Sequence, residues 1–173
     1  MRVIKRTKNK LLFGGIAVAI VAVLIIGGVL LLNHPASPSP ASSAKTPAEQ
    51  PPFTAVLPKG KTINQLGGWN RLSPPNSDPV YVYNDTIDDI AITVTEQPLP
   101  QALQTDTATQ IASLAKGYNA TDQLKAGDTT VYIGTSAKGP QSVILSKSNL
   151  LILMKSQATI NDSAWSTYAE SLQ

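Results

Sequence analysis

The sequence predicts an α+β fold, an antiparallel sheet with two helices on one side, preceded by one transmembrane helix. Three patterns lead there. An uninterrupted apolar run fills residues 11–32, apolar and polar residues alternate with period two in several segments after Pro79, and two later segments carry apolar residues at helical spacing. With 173 residues and 18.3 kDa, the chain has room for one ordinary domain and an accessory segment. The expected organisation is a basic tail over 1–10, a span over 11–32, a Pro/Ser/Ala-rich linker over 33–52 and an outer domain over 53–173.

The span reads LLFGGIAVAIVAVLIIGGVLLL and contains no charged residue. At about 1.5 Å per residue it makes a helix of about 33 Å, enough for a hydrocarbon core of about 30 Å. A helix there satisfies its own backbone hydrogen bonds, which lipid would leave unpaired. The run exceeds the apolar core of a signal peptide, and the Asn33, His34, Pro35 that follow lack a small-residue cleavage pattern, so an uncleaved signal anchor is expected. A pilin-type start would need an acid near the beginning of the run, and none is there. Arg2, Lys5, Arg6, Lys8 and Lys10 precede the span, against only Lys45 and Glu49 in the linker. The positive-inside rule then places the N-terminus in the cytoplasm and the C-terminal domain outside, as a single-pass protein of the cell membrane. Within the span, Gly15, Ala19 and Ala22 share one helical face on which two helices could approach closely.

The same charges account for the pI near 9.2. From Phe53 onward acids outnumber bases, so no basic surface is left for nucleic acid. The linker interleaves Pro35, Pro38, Pro40, Pro47, Pro51 and Pro52 with Ala and Ser. Proline fixes φ and removes donors, so this stretch builds neither helix nor sheet. Extended at about 3.1 Å per residue, it could lift the domain by up to about 60 Å.

Strands are expected where the alternation is clean. Residues 79–83 put Val80 and Val82 on one face and Tyr81 and Tyr83 on the other. Ile90, Ile92 and Val94 line one side of the next strand, after a turn over 84–89. Gly127-Asp128 precedes a strand over 129–134, Gly139-Pro140 one over 142–146, and the apolar run 150–154 suits a central strand. Thr107 and Gln110 suggest a capping box ahead of Ala108, Ile111, Ala112 and Ala115, with Gly117 at the helix end. Asp162 or Ser163 is the expected cap of a last helix carrying Trp165, Tyr168, Ala169 and Leu172 on one face.

Residues 90–97 (IAITVTEQ), 127–132 (GDTTVY), 150–155 (LLILMK) and 168–172 (YAESL) together resemble the small extracytoplasmic domains of single-pass bacterial membrane proteins, including the anti-sigma-factor-like type. The resemblance implies an envelope address and an α+β ectodomain. It does not extend to an anti-sigma activity, because only about ten residues precede the span, too few for a sigma-binding module.

Chemistry is sparse. With no Cys there is no disulfide framework, no thiolate nucleophile and no thiolate metal site, and a single His, His34 in the linker, leaves a Ser-His-Asp triad without its base. Ser113 and Lys116 match the S-x-x-K spacing of serine hydrolases, although no Lys-Thr-Gly element follows. Asp85, Asp88, Asp89 and Glu96 invite comparison with a calcium loop, but Ile87 and Ile90 occupy ligand and glycine positions. Trp69 and Arg71 belong to types enriched at binding hot spots and form the candidate interaction surface. Asn84, Asn119 and Asn161 each open an N-x-S/T sequon. The expectation is a non-catalytic binding module needing no cofactor or metal, partnered by the lipid bilayer and by an envelope protein or wall component, and not by nucleic acid. The alternatives are a structural envelope component and a hydrolase using Ser113 and Lys116.

Overall fold

The computed structural model of the protein describes residues 49–173. The tail, the span with Gly15, Ala19 and Ala22, and His34 lie outside the described residues. Among the described residues no helix is long and apolar enough to cross a membrane.

The domain that these residues form is α+β, as expected. Its strands are β1 (Asn70–Arg71), β2 (Tyr81–Ile87), β3 (Ile90–Pro98), β4 (Asp122–Ala126), β5 (Thr129–Thr135), β6 (Gln141–Lys147) and β7 (Leu150–Ser156), and its helices are α1 (Thr107–Gly117) and α2 (Asp162–Ser171). All seven strands form one antiparallel sheet in the order β1-β2-β3-β7-β6-β5-β4. Two meanders, β1 to β3 and β4 to β7, thus meet at the β3–β7 pairing, with α1 carrying the chain between them. Turn chemistry sets the registers. The expected turn over 84–89 shrinks to Asp88 and Asp89, at φ +48° and +62°, between the paired Ile87 and Ile90. Ser148 and Asn149, at φ +52° and +59°, do the same between β6 and β7. Both are turns with φ positive at each central residue, whose twist matches that of the flanking strands.

Register and burial together correct one expectation: the helices lie on opposite faces of the sheet. Tyr81, Tyr83, Ile92, Val94, Val143, Leu145, Ile152 and Met154 share one face and form the main core with Trp165, Tyr168 and Ala169 of α2 and with Leu172. Tyr132, Ile144 and Leu151 point the other way and are equally buried, together with Ile111 and Ala115 of α1. Gly134 has the register of Tyr132, and a Cβ there would stand 2.7 Å from the carbonyl oxygen of Asn119, just past α1. The physical reason is in β6 and β7, which are apolar on both faces, so each face needs its own cover. Gly134→Ala should destabilise the domain by about 1–3 kcal/mol through this overpacking, read as a lowered denaturation midpoint.

The helix ends also differ from expectation. α1 starts after Asp106, whose φ of +51° turns its side chain away from capping, and Thr107 Oγ1 donates to Gln104 O instead of closing a capping box with Gln110. Ala108 is exposed, which narrows the apolar stripe to Ile111, Ala112 and Ala115. In α2 the cap is Asn161, ahead of the expected positions, with its Oδ1 accepting from Ala164 N at 2.8 Å. Asp162 then falls in the first turn, where its charge complements the helix dipole. At the other end Lys147 Nζ donates to Ala169 O and Glu170 O, at 2.9 and 3.0 Å.

Before β1 the chain is stitched across the domain. Leu57 and residue 173 exchange backbone hydrogen bonds of 3.0 Å, and Lys59 N donates to Ser171 O. Val56 is buried, and the Phe53 ring meets Tyr81 edge-on at 5.9 Å. These attachments begin with Glu49, ahead of the expected start at Phe53: its Oε1 accepts from Arg71 Nη1 and from the Tyr81 hydroxyl, both at 3.1 Å.

Candidate functional site

Three distant segments meet at a shallow groove of about 480 Å³: residues 58–61, the β2–β3 turn and α2. Its volume lies in the range of small-ligand sites. The helical repeat places Ser163, Thr167 and Ser171 in one row along the groove, opposite the face that buries Trp165 and Ala169. Each hydroxyl donates to a nearby oxygen: Ser163 Oγ to Asn161 Oδ1 at 2.6 Å, Thr167 Oγ1 to Ser163 O at 2.9 Å, and Ser171 Oγ to Tyr168 O at 2.7 Å. With their protons committed, these hydroxyls offer acceptor lone pairs to the groove. Lys59 and Lys61 bring donors and positive charge to the facing wall, and Asp88 brings negative charge at the turn.

Beneath the groove a row of polar groups runs inward. Lys61 Nζ pairs with Asp85 Oδ1 at 2.5 Å, and the Tyr168 hydroxyl donates to Asp85 Oδ2 at 3.1 Å. Burial pushes the Tyr168 phenol well above its ordinary range, and the neighbouring Tyr83 and Asp85 push it further. Deeper still, the Tyr83 hydroxyl is wholly buried without a hydrogen-bond partner. Desolvation, with the Glu96 charge behind it, raises that phenol too. Glu96 is fully buried on the same face of the sheet. Its Oε2 accepts from Val56 N at 3.1 Å, while Oε1 has no partner. Burial pushes this carboxyl up to about 8, against the smaller opposing effect of the Val56 bond, so at neutral pH it is an uncharged acid.

The residues singled out in the sequence fall elsewhere. Trp69 is only 8% exposed and packs edge-on against Tyr81 and Tyr83, with ring centroids at 6.3 and 5.1 Å, so it is core and not a recognition edge. The Arg71 guanidinium fastens the following loop, donating to Glu49, Ser73 Oγ and the carbonyls of Pro74, Pro75 and Ser77. Both side chains thus do structural work within the domain, Trp69 in the core and Arg71 on the loop after β1. Ser113 and Lys116 stand on the exposed side of α1, across the sheet from the groove, with no hydrogen bond between them. The acids compared with a calcium loop are dispersed: Asp85 is paired, Asp88 and Asp89 make the turn, and Glu96 is in the core. Among the described residues no group of three or more His, Cys, Asp or Glu side chains could hold a metal ion. Of the sequon asparagines, Asn161 is engaged as the α2 cap and Asn84 accepts from Thr93 Oγ1.

No protein-family model, curated protein or solved structure matches this chain. The segments that carry the resemblance to bacterial ectodomains form most of β3, the β4–β5 turn with the start of β5, most of β7, and the end of α2 with Leu172. Those are mainly framework positions, whereas most of the groove lies outside them. The hydroxyl row was legible as a 163, 167, 171 repeat, but nothing local in the sequence ties it to Lys61 or Asp88.

Proposed function

We propose that this chain is a membrane-anchored, single-pass protein whose extracytoplasmic domain is a non-catalytic binding module of the cell envelope, and that the groove takes a segment of an envelope protein. The observation that carries the reading is the groove itself, where a row of acceptor hydroxyls on α2 faces two lysines and an aspartate on the opposing elements. Charges of both signs at the rim favour a protein partner, which can answer each of them with its own side chains. The engagement of Ser163, Thr167 and Ser171 with backbone and amide oxygens supports a binding role over an acyl-transfer one, since an activated serine needs a base at its proton. The apolar run, the basic flank before it and the proline-rich linker support the tether and the orientation.

The test is site-specific photocrosslinking of the full chain in cells, with a photoreactive residue replacing Thr167 or, as a control on the opposite face, Ser113. A single envelope protein captured from position 167 and not from 113 is the expected result, and Asp88→Lys should cut the capture at least tenfold. Capture of wall polymer would overturn the protein partner. Equal capture from both positions would remove the groove from consideration.

A further inference from the structure

We propose that residues 53–61 are a releasable strap, latched from inside the core by the Glu96 side chain, and that its release dismantles one wall of the groove. The inference concerns regulation of that groove and so rests on the groove being the binding site.

The strap touches the inward polar row at both ends. At one end Val56 N donates to Glu96 Oε2, and at the other Lys61 pairs with Asp85, which in turn holds the Tyr168 hydroxyl. Between these points Pro58, Lys59 and Lys61 form the groove wall. The remaining fastenings are the reciprocal backbone bonds of Leu57 with residue 173, the Lys59 N to Ser171 O bond, the Phe53–Tyr81 ring contact, and the burial of Val56 and Pro58 with Ala55 and Leu57 packed against the core. No sheet pairing beyond the isolated Pro58–Leu172 bridge secures this segment, so it can lift without unravelling β2 to β7.

The latch is a buried carboxyl with one partner and one bare oxygen, an arrangement that tolerates a neutral acid and not a carboxylate. Among the described residues no cation compensates it. From β2 it meets Tyr81 and Tyr83, with Asp85 further along the same strand and Tyr168 of α2 beyond Tyr83, and from β7 the apolar Ile152. Arg71 lies beyond Tyr81 and is held by Glu49, and the strap itself contributes only the Val56 N–H near Glu96. Lifting the strap would let water reach the acid and return it to its ordinary affinity for protons. The closed form therefore binds the Glu96 proton more tightly than the open form, and rising pH favours opening. Between the ordinary carboxyl range and about pH 8 the opening constant should grow about tenfold per pH unit, roughly a thousandfold across the window, then level off.

Hydrogen exchange of the full chain in mild detergent, from pH 5.5 to 9 and corrected for intrinsic rates, reads this directly. The Val56, Leu57 and Lys59 amides should be at least tenfold less protected than the amides of β3 and β7 at each pH and should lose protection steeply with pH, and in Glu96→Gln the strap amides should show no such slope. Strap protection independent of pH in the wild type would overturn the latch. So would strap amides as well protected as the sheet amides at every pH, or an unchanged slope in Glu96→Gln. If that variant fails to fold, the wild-type comparison of strap with sheet still decides. No partner takes part in the measurement, so its failure leaves the binding reading standing, and failed crosslinking leaves this result standing.

Discussion

Trp165→Ala is expected to lower the stability of the α+β domain by about 3–5 kcal/mol, enough to unfold a marginal domain outright. Trp165 is completely buried at the centre of the α2 face, between the helix and the sheet. Truncation removes one of the two tryptophans of the core and leaves a cavity that α2 cannot close, since Ser166 and Lys147 tie the helix to β4 and β6. The indole nitrogen adds a polar cost. It donates to Gln141 Oε1 at 2.9 Å, and the same oxygen accepts from Ile160 N at 2.8 Å. Trp165→Phe separates the two contributions, keeping most of the volume while forfeiting the hydrogen bond, and should cost on the order of 1–2 kcal/mol. Denaturant titration monitored by far-ultraviolet circular dichroism checks both. A loss below about 1 kcal/mol in the alanine variant would mean that α2 is not seated on this residue.

Glu96→Gln is expected to act in the opposite direction, stabilising the domain at alkaline pH. The sign follows from the raised carboxyl. With a folded value of about 8, the native state holds this proton more tightly than the unfolded chain does. Stability from this group is complete below the ordinary carboxyl range, falls as pH rises toward about 8, and is level above that. The slope is on the order of 1 kcal/mol per pH unit at its steepest. Glutamine keeps an oxygen for the Val56 amide and cannot ionise, so the variant should flatten the slope and gain its largest advantage over wild type at pH 9. Thermal or urea unfolding of both proteins at pH 5, 7 and 9 provides the comparison. A wild type whose stability rises across that interval, or a variant with the same slope, would contradict the account.

Parts of this architecture stand in the sequence plainly. The alternation at Ile90, Ile92 and Val94, the apolar run 150–154 and the stripe Trp165, Tyr168, Ala169, Leu172 all became the core elements they suggest. The opposite placement of the helices could have been inferred as well, because LLILM has no polar face to leave in water. Other elements are silent for physical reasons. β4 reads DQLKA, an edge strand with little to bury, held by β5 and by Ser166 Oγ on the Lys125 carbonyl. Asn84 and Asp85 look like turn residues, yet the positive φ of Asp88 and Asp89 lets β2 run on through them. The acidic spacing suggested a surface role for Glu96, although the alternation through Ile90, Ile92 and Val94 puts it on their face, which the structure buries. The groove was invisible for a related reason, because each of its walls is ordinary until chain folding brings it to the others.

That construction has a kinetic corollary. One wall comes from the first residues of the domain, another from its first hairpin and the third from its final helix. The β3–β7 pairing between them joins residues as far apart as Ile92 and Ser156, the kind of non-local closure that slows folding to milliseconds or longer. A chain emerging N-terminus first therefore carries no partial site while it waits for α2, and a truncated or misfolded copy presents none at all. Ligand capture by this domain would double as a check that the molecule had finished folding.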